Sequence, residues 1–383
     1  MLLYEFEVVM INRLIFSRIK ENLFKGKAII IYGARQVGKT TLVNEIIIGL
    51  NKKTILLNGD DTDTRELFEK PNIAKLQNII ANAQVVIIDE AQRITEIGIA
   101  IKIIVDRISG VQVIATGSSS FMLAEKTKEA LAGRAYEYVL YPLSFQEIVA
   151  HNSFLDEKRA LRQRILYGSY PEIVMKPEEG RDLLKLLTGS YLYRDITFLE
   201  TVSNPELLEK ITKALALQIG SEVSSTEISQ IVNADRGTVE KYITLLEKAF
   251  VVFQLPSLNK NVRNEIKKGR KIYFVDNGVR NAILNNFTPL ETRNDTGALW
   301  ENYCISERRK LLTYRKEDCT QYFWRTTQQQ EIDYIEENLG HFKAYEIKYS
   351  SKSKARISKT FLQSYSVTEI KTINIDNVEE FLL

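Results

Sequence analysis

Eight consecutive residues, Gly33-Ala34-Arg35-Gln36-Val37-Gly38-Lys39-Thr40, carry what is needed to grip a chain of phosphates. Glycines let backbone N–H groups close around phosphate oxygens, a lysine reaches the β and γ phosphates, and the neighbouring hydroxyl ligates Mg2+. The apolar run Ala28 to Tyr32 enters the loop as a buried strand would, and the segment from Thr40 to Leu50 leaves it as a helix whose N-terminal dipole favours an anion. The pattern predicts a nucleoside triphosphate site formed by Gly33, Ala34, Arg35, Gln36, Val37, Gly38, Lys39, Thr40 and Thr41, with ATP and Mg2+ as the expected ligands; GTP stays open.

Further along, Val85-Val86-Ile87-Ile88 runs into Asp89-Glu90. An acid at the end of an apolar strand suits a Mg2+ held through water, and a second acid beside it suits polarising the water that attacks a γ-phosphate. Asp89 takes the first role in this reading and Glu90 the second. The next apolar run, Val113 to Thr116, opens into Gly117-Ser118-Ser119-Ser120, which puts Thr116 and Ser118 where a γ-phosphate sensor would sit; a serine-rich turn is the alternative.

Composition limits what else the chain can do. Its 383 residues suggest two or three domains, 44% are hydrophobic and 26% charged, and the net charge of +3 is too small to signal nucleic acid without local clustering. Cys304 and Cys319 form no metal-ligand spacing and no disulfide framework, which fits a reducing, cytoplasmic setting. With His151 and His341 the only histidines, a histidine zinc site or a Ser-His-Asp triad is disfavoured. Charges interrupt the apolar stretch Ile94 to Ile108, so no membrane span is expected. The leader before Met10 lacks the basic start and small-residue cleavage site of a signal peptide; a start at Met10 or an extra edge strand would account for it equally well.

The elements that must position these residues alternate between strand and helix. Strands are predicted at Ala28 to Tyr32, Thr54 to Asn58, Gln84 to Asp89, Gln112 to Thr116 and Tyr136 to Leu140, the pattern of a parallel sheet covered by helices. Leucines 183, 184, 186 and 187, and later Leu207, Leu208, Ile211 and Leu215, have helical spacing and read as a lid-like bundle. Ser225 to Ile231, a turn at Asn233-Ala234-Asp235 and a helix from Arg236 with Val239, Ile243 and Leu246 inward have the spacing of a helix-turn-helix. A wing-like hairpin follows, with strands Val251 to Leu255 and Lys271 to Val275. Its loop holds Lys260, Arg263, Lys267, Lys268, Arg270 and Lys271 against one acid, Glu265. Such a field suits DNA phosphates, with Arg236, Lys241, Lys267, Lys268 and Arg270 as contact candidates; a solvated hairpin or a protein-interaction module is the alternative.

Taken together, GARQVGKTTL, VVIIDEAQ, IATGSSS, LAGRAYEYVLYPLSFQE and YGSYPEIV resemble a family of prokaryotic AAA+ ATPases, with the likeness running from Met10 over nearly the whole chain. Members of that family join the ATPase module to a winged helix and to a C-terminal domain, formerly of unknown function, that is similar to the PD-(D/E)xK nucleases. The resemblance implies an α/β protein: a P-loop AAA+ parallel sheet over residues 1–150, a helical lid-like region over 151–222, a winged helix over 223–290, and a restriction-endonuclease-like α/β domain over 291–383. It also implies an arginine finger, for which Arg134 is the candidate and Arg194 the competitor, and it allows a homo-oligomer. In the C-terminal part, a helix from Trp300, a hairpin around Thr326 to Gln330 and the strand Ala344 to Lys348 match the nuclease pattern. Glu301, Asp333 and Glu346 are the implied magnesium ligands, and Lys348 orients or deprotonates the attacking water. Two functions follow as expectations: an ATPase that engages DNA and licenses a nuclease, or an ATP-driven switch or scaffold whose nuclease-like domain only binds.

Overall fold

Five of the apolar runs form one parallel sheet. The computed structural model describes residues 10–118, 130–192, 204–258, 269–326, 328, 330–352 and 358–383. Strands β1 (Ala28–Tyr32), β2 (Thr54–Asn58), β3 (Val85–Asp89), β4 (Gln112–Gly117) and β5 (Ala135–Val139) lie in the order β2-β3-β4-β1-β5. Every neighbour pair is parallel, and the observed limits differ from those expected by one residue at four ends. The alternation of side chains explains why these runs are apolar throughout. Ile29, Ile31, Val85 and Ile87 face one layer, where Leu42, Val43 and Ile46 of helix α1 (Lys39–Ile48) cover them. Ile30, Val86 and Ile88 face the other, against Ala100, Ile101 and Ile104 of α2 (Ile97–Arg107). Each such aliphatic side chain contributes about 1.5–3 kcal/mol by leaving water.

The middle of the chain holds helices α3 (Pro205–Leu217), α4 (Ser225–Val232) and α5 (Arg236–Lys248), with β6 (Glu222–Val223), β7 (Val252–Pro256) and β8 (Arg270–Phe274). The strands form an antiparallel sheet in the order β6-β8-β7. Side chains of Asn204, Ser224 and Asp235 cap the three helices, each worth about 1 kcal/mol. α3, expected among the lid helices, packs on α4 and α5 and on the helix Asn277–Ile283. Its leucine spacing specifies that a face is buried, not what buries it. After β8 comes α6 (Asn277–Ile283), buried along its whole length.

Helix α7 (Thr296–Arg315) opens the C-terminal unit. It is followed by β9 (Thr320–Arg325), β10 (Glu331–Asn338), β11 (His341–Ile347), a short helix at Lys359–Ser364 and β12 (Val367–Ile373), in the sheet order β12-β11-β10-β9. The first three strands form an antiparallel meander, and β12 returns parallel to β11. Two further contacts join this unit to the others. Beyond β7, Ser257 bridges Phe323 and the Leu258 N–H donates to the Phe323 carbonyl at 2.7 Å, which stitches the three-stranded sheet to β9. The far half of α7 lies against the unit of the parallel sheet: Glu307 accepts the Phe145 N–H at 2.7 Å, Lys310 donates to the Leu143 carbonyl at 3.1 Å, and Arg18 donates to the Tyr314 carbonyl at 2.6 Å. Among the described residues no helix is long and apolar enough to cross a membrane.

Candidate functional site

The phosphate loop occupies the C-terminal end of β1, where chain and helix geometry leave amide groups unspent. Gly38 has a φ of 94° and opens α1 with no side-chain cap, so the first-turn N–H groups of the helix face outward. Gly33 has no room for a side chain, because a Cβ there would lie 2.2 Å from the Leu140 carbonyl oxygen. Lys39 is buried and its ammonium donates to the Gly33 and Ala34 carbonyls at 2.8 and 2.9 Å, which holds it at the mouth of the loop. Gln36, Thr40 and Thr41 are exposed, Arg35 is half-buried, and Val37 is buried beneath the loop.

Asp89 connects three elements. One carboxylate oxygen accepts the Thr40 hydroxyl at 3.0 Å; the other accepts the Thr116 hydroxyl and, at 3.1 Å, the Glu90 N–H. This follows from the strand order, since β4 lies between β1 and β3 and delivers Thr116 into the gap. Glu90 has a φ of 49°, which turns its side chain out of the strand direction. Its carboxylate accepts from Gln92 at 2.5 Å, and the same Gln92 amide lies 3.0 Å from the Ser118 hydroxyl. The structure thus brings Lys39, Thr40, Asp89, Glu90, Thr116 and Ser118 together at one end of the sheet.

Three contributors escaped the sequence reading. Gln92 links Glu90 to Ser118. Gly59 allows the chain after β2 to pass the Glu90 carbonyl, which a Cβ would approach to 2.4 Å. Arg13 supports the loop from behind, donating to the Val37 carbonyl at 2.6 Å, the Tyr141 carbonyl at 2.7 Å and Glu147 at 3.0 Å. Burial opposes its charge, yet Glu147 and Tyr314 hold its pKa above the ordinary arginine value. An apolar pocket of about 130 Å³ adjoins the loop, lined among others by Met10, Ile11, Val37, Leu42 and Met175, a surface suited to a flat nucleobase. Of the three contributors, Gln92 had a sequence signal, as the last residue of VVIIDEAQ.

Arg134 sits at the opposite end of the sheet, just before β5, in an ion pair with Asp106 at 2.8 Å. It is not brought to the loop of its own chain. Arg194, Lys260, Arg263, Lys267 and Lys268 lie outside the described residues. Arg236 and Lys241 are exposed on α5. The two hairpin cations among the described residues are not solvated side chains. Arg270 is half-buried and bonded to Glu240 at 2.6 Å, Ser225 at 2.8 Å and Gln254 at 2.9 Å, and Lys271 is buried outright. Counting charges along a loop ignored the strand alternation that turns alternate side chains inward.

In the C-terminal unit Asp333, Glu346 and Lys348 do converge. Lys348 lies 3.0 Å from both carboxylates, and Asp333 also accepts the Ile347 N–H at 2.7 Å. Burial and the nearby Asp333 push the Glu346 carboxyl up to about 7, against the pull of Lys348. Glu301 is nearby but engaged elsewhere, with the Lys271 ammonium at 3.0 Å and the Tyr273 hydroxyl at 2.5 Å. Burial raises its pKa. Among the described residues no three His, Cys, Asp or Glu side chains are grouped to hold a metal, and Glu301 is paired with Lys271 while Asp333 and Glu346 share Lys348. Two ammonium groups, Lys271 and Lys348, divide the acids between them. Asp333 and Glu346 alone still fit one hard cation, since they already share a single positive charge and Mg2+ needs only one or two carboxylates besides water and phosphate.

A sheet in this order, with its phosphate loop, acid pair and intervening polar strand at one end, is a P-loop arrangement of the AAA type. Residues 25–149 match the family described as AAA domain, residues 158–290 match a domain of unknown function (DUF8612), and residues 296–377 match another (DUF4143). Similar proteins include an uncharacterized protein of Mycobacterium tuberculosis, 25% identical over 340 residues that cover 88% of this chain and 73% of the relative. One from Methanocaldococcus jannaschii is 24% identical over 325 residues, covering 79% and 71%. Among solved structures, a Walker-type ATPase of Pyrococcus abyssi aligns over 72% of this chain and 96% of its own, with 17% identity and a TM-score of 0.49.

Proposed function

We propose that the chain binds and hydrolyses ATP, and that this cycle controls a nucleic-acid-engaging, nuclease-like C-terminal half. The observation that carries the first part is the carboxylate of Asp89, bonded at once to Thr40 of the loop helix and Thr116 of the intervening strand. Thr40 and Asp89 would hold Mg2+, which when bound neutralises charge on the phosphate oxygens. Lys39 binds the β and γ phosphates, and the apolar pocket takes the base. Glu90, held by Gln92, accepts a proton from water as that water attacks the γ-phosphorus and ADP leaves. Ser118, joined to Glu90 through Gln92, lets the polar strand end respond to the γ-phosphate. Arg134 would assist only across a homo-oligomer interface, in a neighbouring copy. Lys39→Ala should lose nucleotide binding, and Glu90→Gln should bind ATP but turn it over slowly. Equal turnover in Glu90→Gln would remove Glu90 from its role.

The second part rests on the convergence of Asp333, Glu346 and Lys348. With α3, α4, α5 and the β6-β8-β7 sheet as a winged helix, Arg236 and Lys241 would meet DNA phosphates while a divalent cation at Asp333 and Glu346 supplies charge beside a phosphodiester. Lys348 then orients the attacking water. Purified protein with Mg2+ or Mn2+ should cut linear, supercoiled or single-stranded DNA, and Asp333→Ala should not; cleavage surviving in Asp333→Ala removes the assignment. Charge reversal at Arg236 and Lys241 should flatten the salt dependence of DNA binding. The pairing of each cluster carboxylate with a lysine favours a second reading, an ATP-driven switch or scaffold whose C-terminal domain only binds. Metal-independent DNA or protein binding with no cleavage would select it.

A further inference from the structure

Lys271 enters the carboxylate cluster from another unit of the chain. It lies on β8 of the three-stranded sheet, whereas Glu301 belongs to α7 and Glu331, Asp333 and Glu346 to the four-stranded sheet. Its side chain is 1% exposed, and its ammonium lies 3.0 Å from Glu301 and 2.6 Å from Glu331, with the Phe323 ring 5.5 Å away. Two residues on, and therefore on the same face of β8, the Tyr273 hydroxyl donates to the same Glu301 oxygen at 2.5 Å. A lysine so deeply buried is tolerated only when paired and hydrogen-bonded. The register that brings it here is set by the β7–β8 ladder and by the stitch from Leu258 to Phe323.

The charges divide in a definite way. Four carboxylates, from Glu301, Glu331, Asp333 and Glu346, face three cations, Lys271, Lys348 and Arg325, the last 3.7 Å from Glu331. With Lys348 displaced from Asp333 and Glu346, two negative charges remain, which one divalent cation would balance; two would not. The Glu301 and Glu331 half of the cluster is already closed around Lys271. Among the described residues the cation at the Asp333 and Glu346 half is Lys348, whose side chain is 38% exposed.

We propose that Lys271 is the built-in cation of a composite site, standing between Glu301 and Glu331 where a second divalent ion would otherwise bind, so that the site takes a single metal ion at Asp333 and Glu346. The single-ion part rests on the metal-dependent reading above; the role of Lys271 does not. Lys271 is thus a positioning residue, and the region spanning 158–290 completes a site whose other members lie between 301 and 348. Undocking β8 would disassemble that site without touching any of its carboxylates.

The test is the stoichiometry of Mn2+ binding to the full chain, by calorimetry and by electron paramagnetic resonance, in the presence of saturating Mg2+-free nucleotide analogue to exclude large changes at the phosphate loop. Wild type should bind one more Mn2+ than Asp333→Ala. Lys271→Ala should gain a further ion relative to wild type, Lys271→Ala with Glu301→Gln should lose that gain, and Lys271→Arg should behave as wild type. If wild type equals Asp333→Ala, the metal reading of Asp333 and Glu346 fails, and the Lys271 assignment is still decided by whether Lys271→Ala gains an ion. No gain in a Lys271→Ala protein with unchanged circular dichroism overturns the proposal. Should Lys271→Ala not fold, Glu301→Gln alone decides: it keeps Glu331 for the ammonium, and Mn2+ affinity should change by less than about tenfold, the lower edge of what an outer-sphere partner costs. Loss of Mn2+ binding in Glu301→Gln would make Glu301 a direct ligand and overturn the assignment.

Discussion

Replacing Arg13 with methionine should both destabilise the chain and loosen its grip on nucleotide. The methionine fills similar space but gives nothing to the Val37 and Tyr141 carbonyls, which the guanidinium reaches at 2.6 and 2.7 Å. It also leaves Glu147, 1% exposed, without its cation. Breaking a buried pair in this way costs about 3–5 kcal/mol. Two backbone donors remain on Glu147, the N–H groups of Leu14 at 2.9 Å and Ser144 at 2.8 Å. They keep the stranded charge hydrogen-bonded, so the lower end, about 3 kcal/mol, is expected. Because the Val37 carbonyl loses its tether, the loop amides lose their fixed direction, and ATP affinity should fall by about tenfold, or 1.4 kcal/mol.

The assay is a double-mutant cycle. Arg13→Met, Glu147→Gln and the double variant are unfolded in urea, followed by circular dichroism, and titrated with a fluorescent ATP analogue. If the pair anchors the loop, the double variant should recover about 2 kcal/mol relative to the sum of the single changes, because no uncompensated charge remains. Additivity within about 0.5 kcal/mol would refute the reasoning. So would an Arg13→Met protein that binds nucleotide like wild type.

Two further outcomes follow from the geometry. Gln92→Ala frees Glu90 from its 2.5 Å bond and cuts the link to Ser118, so turnover should fall about tenfold or more with little change in ATP affinity; a fall in affinity with turnover intact would place Gln92 in binding instead. Glu346 has its folded pKa raised to about 7 from 4.5, so it favours the folded state below pH 4.5, and that contribution is lost as pH rises through 7. Glu346→Gln should therefore flatten a decline in stability between those limits, worth about 1–2 kcal/mol after allowance for solvent screening. A wild-type stability that rises with pH across the same window, or a decline that is no smaller in Glu346→Gln, would contradict the burial argument; divalent cation should suppress the decline.

What the sequence made legible was local. A buried parallel strand must be apolar on both faces, so β1, β3 and β4 announced themselves, and Gly33 and Gly38 marked the turn between strand and helix. Asp89 and Glu90 were legible because a strand of that kind has to end in something polar. Arg13 was not, because its partner Glu147 lies 134 residues away and Tyr314 lies 301 away. Nothing in one sequence links such positions. Lys271 was misread for a different reason: a lysine in a basic run looks solvated, and only the register of β8 against its neighbours turns it into a carboxylate cluster.

Arg13 and Lys271 also bear on how the halves of the molecule could communicate. Helix α7 carries Glu301 near its start, and near its end Tyr314, whose hydroxyl accepts the Tyr141 N–H at 3.0 Å and lies 3.4 Å from Arg13. Between them Glu307 and Lys310 hold the segment after β5. A helix of 20 residues is stiff along its axis, so the Val37 carbonyl of the phosphate loop and the carboxylate that grips Lys271 are attached to one rigid body. Spatial continuity alone does not make coupling; that requires an element whose two arrangements both sites bias. In the proposal above that element is the docking of β8 through Lys271, whose partner Glu301 lies on α7. Under that logic Tyr314→Phe, which keeps the ring but removes the acceptor for Tyr141, should leave each site intact and weaken the effect of ATP on the Mn2+ stoichiometry. An effect of ATP on Mn2+ binding that is unchanged in Tyr314→Phe would show that α7 is a strut and not a lever.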